Sequence, residues 1–394
     1  MKFLTLLFSL WMLSCPQTYA GTIIDSLSEI DASALLVLDA SGLPLYSKQA
    51  EQMFIPASTV KLLTALMALE YWGRAHRFAT EFYIDEANNV LVIKGLGDPF
   101  LVSEEIDLIV DKIKQLDIQS FSSIQADLSY FSESLNNTKS ATSNNPYDAS
   151  ASALAVNFNT IEVDVIDGIV TSGEVQTPIT TMAKSLAKGL TNGKHRINLG
   201  NARRGPQYFV EVLSEKLQLV EIEVEQTQIM QSEPSDLTLL FTHYNSRPLD
   251  QVIAAMLKYS NNFIANQLFL MLGAEKLDVP AAFDKSRQML TQFVDRHFQW
   301  QQYAVYDGAG LSINNRLSAR QLIDIAQKFA PYRNLMPSQK QVIKAKSGTL
   351  NGVSCYVGYV FREGKWLTFA LLINQPVEYR FRERLAEELL TTAF

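Results

Sequence analysis

The chain has little cysteine. Among its 394 residues, only Cys15 and Cys355 are cysteines. If Cys15 leaves with an N-terminal leader, no internal disulfide can form, and a structural metal site made of thiolates has too few ligands. Stability must then come from packing. Because Cys355 lies in an apolar run, we expect its side chain to be a small buried hydrophobic group.

Basic clusters are also missing. Lys and Arg number 34 against 41 Asp and Glu, and the formal net charge is −7. Surfaces that bind nucleic acid are rich in Lys and Arg. The composition therefore argues against a nucleic-acid partner.

No apolar run is long enough to cross a bilayer, which takes about 20 residues. The best candidate, Phe3 to Leu13, follows the charged Lys2 and precedes the small-residue site Thr18-Tyr19-Ala20. This order is typical of a secretory signal peptide. We predict a signal peptide over residues 1–20, cleavage after about Ala20, and no transmembrane anchor afterwards.

Two other readings of the first residues stay open. Lipidation at Cys15 is one, although Met12-Leu13-Ser14 before it is a poor lipidation signal. A buried N-terminal strand or helix is the other.

What the chain does contain is the composition of a globular protein, with 47% hydrophobic and 19% charged residues. Its length exceeds what one ordinary core organises, so two or more domains are expected. Ala34–Asp39 and Leu43–Ser47 are typical of a β-hairpin. Thr59–Trp72 follows as a helix that is apolar nearly all round and closed by Gly73, a pattern that indicates burial.

The middle of the chain differs from both ends. Between residues 78 and 238 it has short β-like runs, the clearest being Glu81–Tyr83, Val90–Lys94, Thr160–Val165 and Val220–Val224, and Glu133–Ser152 is typical of an exposed loop. Helical and strand patterns then return, with helices at Leu249–Leu257, Phe263–Leu272, Leu317–Phe329 and Tyr379–Leu390 and strands at Ser354–Phe361 and Trp366–Asn374. We predict one α/β (α+β) domain of residues 21–77 and 239–394, interrupted by a β-rich inserted domain of residues 78–238.

The first motif that carries chemistry is the pair Ser58 and Lys61, in Ser-x-x-Lys at the start of the buried helix. Residues three apart share a helix face. A hydroxyl is a weak nucleophile without an adjacent base, and a lysine with a depressed pKa can be that base. The N–H groups at a helix start also favour a developing oxyanion. Taken alone, the same residues read equally as a helix cap and a surface lysine.

Two further motifs follow. Ser260-Asn261-Asn262 lies between two helices, where a hydroxyl and an amide can relay a proton and bind a substrate amide. Lys346-Ser347-Gly348-Thr349 opens the C-terminal strands. There Gly348 would let a substrate backbone approach the strand closely. Lys346 with the two hydroxyls makes a carboxylate site, and the Thr349 N–H is a candidate second oxyanion donor. Taken alone, these motifs are also typical of a turn between helices and of the start of a strand.

Their order on a helix, a loop and a strand resembles the signature of penicillin-binding proteins and serine β-lactamases. The long gap between Lys61 and Ser260 makes the chain similar to the class C low-molecular-mass penicillin-binding proteins, the D-alanyl-D-alanine carboxypeptidase/endopeptidase family. The resemblance covers essentially the whole mature chain. It includes the segments Leu45–Ser47, Gly95–Pro99, Asn157–Asn159 and Tyr306–Ser312.

That resemblance implies a fold and an activity. The fold is a penicillin-binding-protein domain with an antiparallel sheet and helices, and the enzyme acts in the periplasm on peptidoglycan stem peptides without a metal or organic cofactor. Ser58 would be the nucleophile, assisted by Lys61, Ser260, Asn262 and Lys346. The substrate carboxylate would be bound by Lys346, Ser347, Gly348 and Thr349, and β-lactams would acylate Ser58 as covalent inhibitors.

The chain departs from the family pattern at three positions. Ser347 stands where the family more often has Thr, Asn266 where it usually has Glu, and Ala309 where Ser is common. Two alternatives therefore remain, a serine β-lactamase and a non-catalytic peptidoglycan-binding relative. A Ser-His-Asp hydrolase fits poorly, because none of the four histidines lies beside a nucleophile-elbow motif.

Overall fold

The computed structural model describes residues 23–137, 149–200, 203–230 and 236–392, so the predicted signal peptide and Cys15 lie outside it. The strands are β1 Ser33–Leu38, β2 Pro44–Lys48, β3 Ala79–Asp85, β4 Val90–Gly95, β5 Ser120–Asp127, β6 Thr160–Ile166, β7 Ile169–Ser172, β8 Gly193–Asn198, β9 Glu223–Met230, β10 Thr238–Tyr244, β11 Ser338–Gln339, β12 Ile343–Leu350, β13 Val353–Arg362 and β14 Lys365–Ile373. The helices are α1 Ile23–Ser28, α2 Lys61–Trp72, α3 Ser103–Lys114, α4 Thr181–Leu186, α5 Arg204–Gln218, α6 Leu249–Tyr259, α7 Asn262–Leu277, α8 Phe283–His297, α9 Ala319–Phe329 and α10 Phe381–Glu388.

Six strands form an antiparallel sheet in the order β11-β12-β13-β14-β1-β2. In β1, Leu35 and Val37 pack with α1 and α10, whereas Leu36 and Leu38 face the larger core. Because side chains alternate between the two faces, a strand that is apolar throughout indicates a sheet covered on both sides. The predicted hairpin and the α/β class with an antiparallel sheet are confirmed.

Helix α2 lies in the larger core, where residues 61–69 are all buried, as its apolar circumference predicts. It ends at Gly73, which takes a φ of 78° and donates its N–H to the Leu69 carbonyl at 3.0 Å. The predicted start at Thr59 is early. Ala57–Val60 form a tighter 3-10 turn, and the α-helix begins at Lys61.

The interrupting segment contains a five-stranded sheet in the order β10-β3-β4-β5-β9 and a three-stranded sheet in the order β7-β6-β8. The pairs β4–β5 and β5–β9 are parallel, and parallel neighbours need a crossover connection. Helix α3 is the crossover from β4 to β5, and α5 precedes β9. The description of this segment as β-rich is therefore incomplete, because helices pack against its sheet.

The division of the chain at residues 78 and 238 stays a prediction. Strand β10 pairs with β3, so the five-stranded sheet continues past residue 238. The predicted strand Val220–Val224 is wrong over its first half: Glu221 has a φ of 65°, in the turn after α5, and β9 begins at Glu223.

The predicted exposed loop Glu133–Ser152 is wrong at its C-terminal end. Ser150 and Ser152 are buried, and the Ser152 N–H donates to the Gln267 side chain at 3.2 Å. Residues 138–148 lie outside the described part of the chain. Cys355 is fully buried, as expected. In the described ranges no helix has both the length and the apolar character needed to span a membrane.

Candidate active site

Ser58 and Lys61 meet at the start of α2. Ser58 lies half-buried in the 3-10 turn, after Ala57, whose φ of 47° is in the left-handed region. Lys61 begins the α-helix, and its Nζ lies 2.9 Å from Ser58 Oγ. The first N–H groups of a helix have no partner within the helix. The turn therefore presents a hydroxyl, an amine and backbone N–H donors at one place.

The Lys61 side chain is fully buried. Its Nζ donates to Ser58 Oγ, to Asn262 Oδ1 at 2.7 Å and to the Ala309 carbonyl at 2.6 Å. Burial lowers the pKa of Lys61 well below its ordinary value, and the nearby Lys346 charge lowers it further, while Asp307 acts in the opposite direction. A lowered pKa makes the neutral amine, the form that accepts a proton, more accessible than in an ordinary lysine.

Ser260, Asn261 and Asn262 join α6 to α7. Ser260 ends α6 in the left-handed region, with a φ of 52°. The Asn261 side chain caps α7 by accepting the Ile264 N–H at 3.0 Å. Asn262 is the first residue of α7, and its oxygen contacts Lys61. The turn predicted from the sequence is therefore present, and it places a hydroxyl and an amide beside the first motif.

Lys346 approaches from β12 and is buried. Its Nζ lies 2.8 Å from Ser260 Oγ and 2.6 Å from the Ser347 carbonyl oxygen. Burial, followed by the charge of Arg382, lowers its pKa to about 7. Lys346 can thus exchange a proton with Ser260 near neutral pH.

Gly348 allows β12 to pack against the nucleophile turn. A Cβ at this position would lie 2.7 Å from the Pro56 carbonyl oxygen and 3.0 Å from the Ser58 nitrogen. A contact as short as the one to Pro56 essentially never occurs for a real Cβ atom, so a side chain at Gly348 would displace the turn. From the sequence we expected a substrate backbone to approach Gly348. In the structure, the backbone of Pro56 and Ser58 approaches it.

The edge of β12 presents the N–H of Thr349. The Ala345 N–H donates to the Pro337 carbonyl at 3.1 Å on the edge away from β13. Backbone groups alternate between the two edges of a strand with a period of two residues. Ser347 and Thr349 therefore direct their N–H groups to that same outer edge, and Thr349 has an exposed side chain there.

A loop that the sequence did not single out as functional completes the surroundings of Lys61. Asp307 is buried, and its carboxylate accepts backbone N–H groups from four successive residues of the loop, at 2.7 to 3.0 Å: Ala309, Gly310, Leu311 and Ser312. This holds the Ala309 carbonyl against Lys61. Asn266 also accepts the Ala309 N–H, at 3.1 Å.

Gly310 fixes the same loop against the nucleophile turn. It has a φ of 79°, and a Cβ there would lie 1.9 Å from the Ala57 carbonyl oxygen. In the segment Tyr306–Ser312, the aspartate and the small residues therefore hold the loop in the position from which it contacts Lys61. Thus Ala309 and Asn266, two of the departures from the family pattern, both contact this loop or belong to it.

The structure brings all eight residues predicted for the site into one region: Ser58, Lys61, Ser260, Asn262, Lys346, Ser347, Gly348 and Thr349. Beside Asn262 opens a groove of about 470 Å³, lined by aromatic side chains from the interrupting segment and from α7, including Phe100, Phe158 and Phe263.

Comparison with known proteins yields one family and several relatives. The chain matches the D-Ala-D-Ala carboxypeptidase 3 (S13) family over residues 23–194 and 189–337. It is 36% identical to a D-alanyl-D-alanine carboxypeptidase of Actinomadura sp. (strain R39) over 88 residues, 21% of this chain and 16% of that protein. It is 24% identical to the carboxypeptidase Rv3627c of Mycobacterium tuberculosis over 384 residues, 85% of this chain and 74% of that protein.

Among solved structures, penicillin-binding protein 4 (dacB) from Haemophilus influenzae superposes with a TM-score of 0.76 at 18% identity, over 94% of this chain and 99% of that one. The same protein is known in complex with a β-lactam. This likeness shows a shared fold. The family match covers most of the chain, including the first two motifs, and the chain therefore belongs to the D-Ala-D-Ala carboxypeptidase 3 (S13) family.

Proposed function

We propose that this protein is an exported serine-type D-alanyl-D-alanine carboxypeptidase that works in the periplasm on peptidoglycan stem peptides. The single observation that carries the proposal is the buried Lys61 amine, 2.9 Å from Ser58 Oγ. A lysine whose pKa is lowered by burial is a base matched to a serine nucleophile. The family match supports the substrate class.

In the acylation step, neutral Lys61 takes the proton of Ser58 as Oγ forms a bond to the carbonyl carbon of the penultimate D-Ala. The carbonyl oxygen becomes an oxyanion between the N–H groups of Ser58 and Thr349. Collapse of the tetrahedral intermediate breaks the C–N bond. The leaving amine of the terminal D-Ala receives a proton from Ser260, and Ser260 takes one from Lys346 Nζ, which lies 2.8 Å from its Oγ. The proton that Lys61 took from Ser58 replaces the one that Lys346 gave up, so Lys61 is neutral again.

In the second step, water attacks the ester carbonyl of the acyl-enzyme. Neutral Lys61 accepts a proton from that water and then passes it to Ser58 Oγ as the C–O ester bond breaks. The products are the shortened stem peptide and the free enzyme. Asn262 orients the substrate amide in both steps, since its side chain is fixed at Lys61.

The terminal carboxylate binds at Lys346, Ser347 and Thr349 on the edge of β12. A groove of about 510 Å³ begins at Thr349 and continues along residues 375–380 and the first turn of α10. It leaves room for a leaving group larger than D-Ala. This supports an additional D,D-endopeptidase activity on cross-linked peptides.

β-Lactams imitate the D-Ala-D-Ala end of the substrate, and we propose that they acylate Ser58. The β-lactam complex of the Haemophilus protein, which shares the fold, supports this. Turnover of the β-lactam itself, with rapid hydrolysis of nitrocefin, would instead favour the serine β-lactamase alternative.

The test is incubation of the wild type and of Ser58→Ala with purified muropeptides, followed by mass analysis of the products. The proposal predicts loss of one D-Ala per pentapeptide with the wild type and none with the variant. Cleavage of cross-linked dimers would establish the endopeptidase activity. Binding of muropeptides without release of D-Ala would contradict the proposal and favour the non-catalytic alternative.

A further inference from the structure

Arg382, in the first turn of α10, contacts the strand edge that is proposed to bind the substrate carboxylate. Its Nη1 lies 2.6 Å from Thr349 Oγ1 and 3.1 Å from the Gly348 carbonyl oxygen. Its Nε lies 2.9 Å from Glu383, which fixes the plane of the guanidinium. The side chain is 19% exposed, so its charge is only partly screened by solvent.

The fold explains why Arg382 reaches Thr349. Ile343 and Ala345 of β12 pack in the smaller core with Phe381 and Leu385 of α10. With a period of two, Thr349 lies on this same α10 side of β12, whereas Lys346 and Gly348 lie on the side of Ser58 and Ser260. The buried residues of α10 thus hold Arg382 at the rim of the site, behind the substrate-binding edge.

The direction of the hydrogen bond matters. A guanidinium only donates, so Thr349 Oγ1 must accept from Arg382. The hydroxyl proton of Thr349 then remains available to a carboxylate on the substrate. Without Arg382, this hydroxyl could rotate and donate elsewhere.

The charge matters as well. Lys346 directs its Nζ at Ser260 Oγ and at the Ser347 carbonyl, and it has a proton to pass on in the proposed mechanism. An amine that gives up its proton loses its charge, whereas a guanidinium stays charged at all working pH values. Arg382 is therefore a positive group at the β12 edge that keeps its charge throughout the reaction, with part of that charge offset by its ion pair with Glu383.

We propose that Arg382 is a positioning residue that orients the Thr349 hydroxyl and supplies the fixed positive charge by which the site selects acyl donors with a carboxylate next to the scissile bond. This inference rests on the proposed function, because it assumes acylation of Ser58. It adds a residue outside the three motifs and gives it a role in specificity.

The test uses benzylpenicillin and its methyl ester, which present the same β-lactam ring with and without the carboxylate. The second-order rate constant for acylation of Ser58 is measured by intact-mass spectrometry for the wild type, Arg382→Gln and Arg382→Lys. For Arg382→Gln, the constant for the acid should fall by about 10- to 100-fold, the range for a lost hydrogen bond to a charged group. The constant for the ester should change by less than about threefold, and Arg382→Lys should recover part of the preference for the acid.

Arg384→Gln is the matched control, since Arg384 lies on the same helix and pairs with the exposed Glu378. It should keep the wild-type preference for the acid. An equal loss for acid and ester in Arg382→Gln would indicate a structural role and overturn the inference, as would an unchanged preference. Failure of the wild type to react with either compound would overturn the proposed function itself. If Arg382→Gln does not fold, by circular dichroism, the comparison is made with Arg382→Lys, where an unchanged preference for the acid together with unchanged rates overturns the inference.

Discussion

Lys346 Nζ lies 2.8 Å from Ser260 Oγ, across 86 residues of sequence. This contact joins β12 to the turn between α6 and α7, next to the pair Ser58 and Lys61. Two buried lysines therefore face one small region. The Lys346 charge disfavours the protonated form of Lys61, because like charges repel in a poorly solvated space.

Lys61→Arg tests whether the amine must lose its charge. Arginine also donates hydrogen bonds but stays protonated, so it cannot take the Ser58 proton. We expect the rate constant for acylation by a fluorescent penicillin to fall by about 100- to 10,000-fold, the range for loss of a general base. Lys258→Arg, on the exposed side of α6, is the control and should react like the wild type. Near-normal acylation of Lys61→Arg would rule out Lys61 as the base.

Asn262→Asp tests the pKa of Lys61 directly. A carboxylate 2.7 Å from Lys61 Nζ would favour the ammonium form and raise the pKa of Lys61. Acylation at neutral pH should slow by about 10- to 100-fold, and the rise of the rate with pH should move to higher pH. Asn261→Asp is the control, because it adds the same charge one residue away at a position where Asp is also a good helix cap. Identical pH profiles for wild type and Asn262→Asp would contradict this account.

Asp307→Asn tests the loop that holds the Ala309 carbonyl at Lys61. The amide has one acceptor oxygen in place of two, and its NH₂ group would face backbone N–H donors. We expect a loss of about 1–3 kcal/mol in the free energy of unfolding, together with slower acylation. Urea unfolding and penicillin acylation measure the two effects. Asp295→Asn, exposed on α8, should change neither; wild-type stability of Asp307→Asn would refute the assigned role.

The pKa of Lys346 should appear in the stability of the protein. Because it is lowered to about 7, the unfolded chain binds a proton that the folded protein has lost between pH 7 and the ordinary lysine value. The free energy of unfolding therefore rises with pH in this window, by about 1.4 kcal/mol per pH unit from this group. Below it both states are protonated and the contribution is constant. In Lys346→Met the slope should be smaller by this amount, with Lys61 still contributing a rise, as urea unfolding at several pH values will show; parallel curves for wild type and variant would exclude the shift.

The three motifs of the site could be predicted from the sequence, because three short patterns occur in one particular order, on a helix, a turn and a strand. Local rules also predicted β1, β2 and the end of α2 at Gly73. They missed α3 and α5, whose amphipathic patterns lie among short β-like runs, and α8, which lies between two predicted helices. Ser152 looked like a loop residue, since it is held by the distant Gln267. The buried Ser150 accepts a hydrogen bond from Asn159 through its carbonyl.

The supporting residues could not be found in this way. Asp307 accepts hydrogen bonds from backbone N–H groups, which nearly every residue type has. No pattern of side chains in the sequence therefore predicts its role. Arg382 reaches Thr349 only because α10 folds back over the sheet, and a contact across 33 residues has no local signal. The role of Gly348 was assigned to substrate approach, although the nearest backbone belongs to Pro56 and Ser58.

The most direct test of the central claim is the site of covalent modification by penicillin. Wild-type protein, incubated with benzylpenicillin and analysed by intact-mass spectrometry and peptide mapping, should gain one penicilloyl group on Ser58. Ser58→Ala should gain none, while the neighbouring Thr59→Ser should react, since the Thr59 hydroxyl donates to the Pro56 carbonyl and a serine hydroxyl can do the same. An unmodified wild type, or an adduct on a residue other than Ser58, would contradict the account.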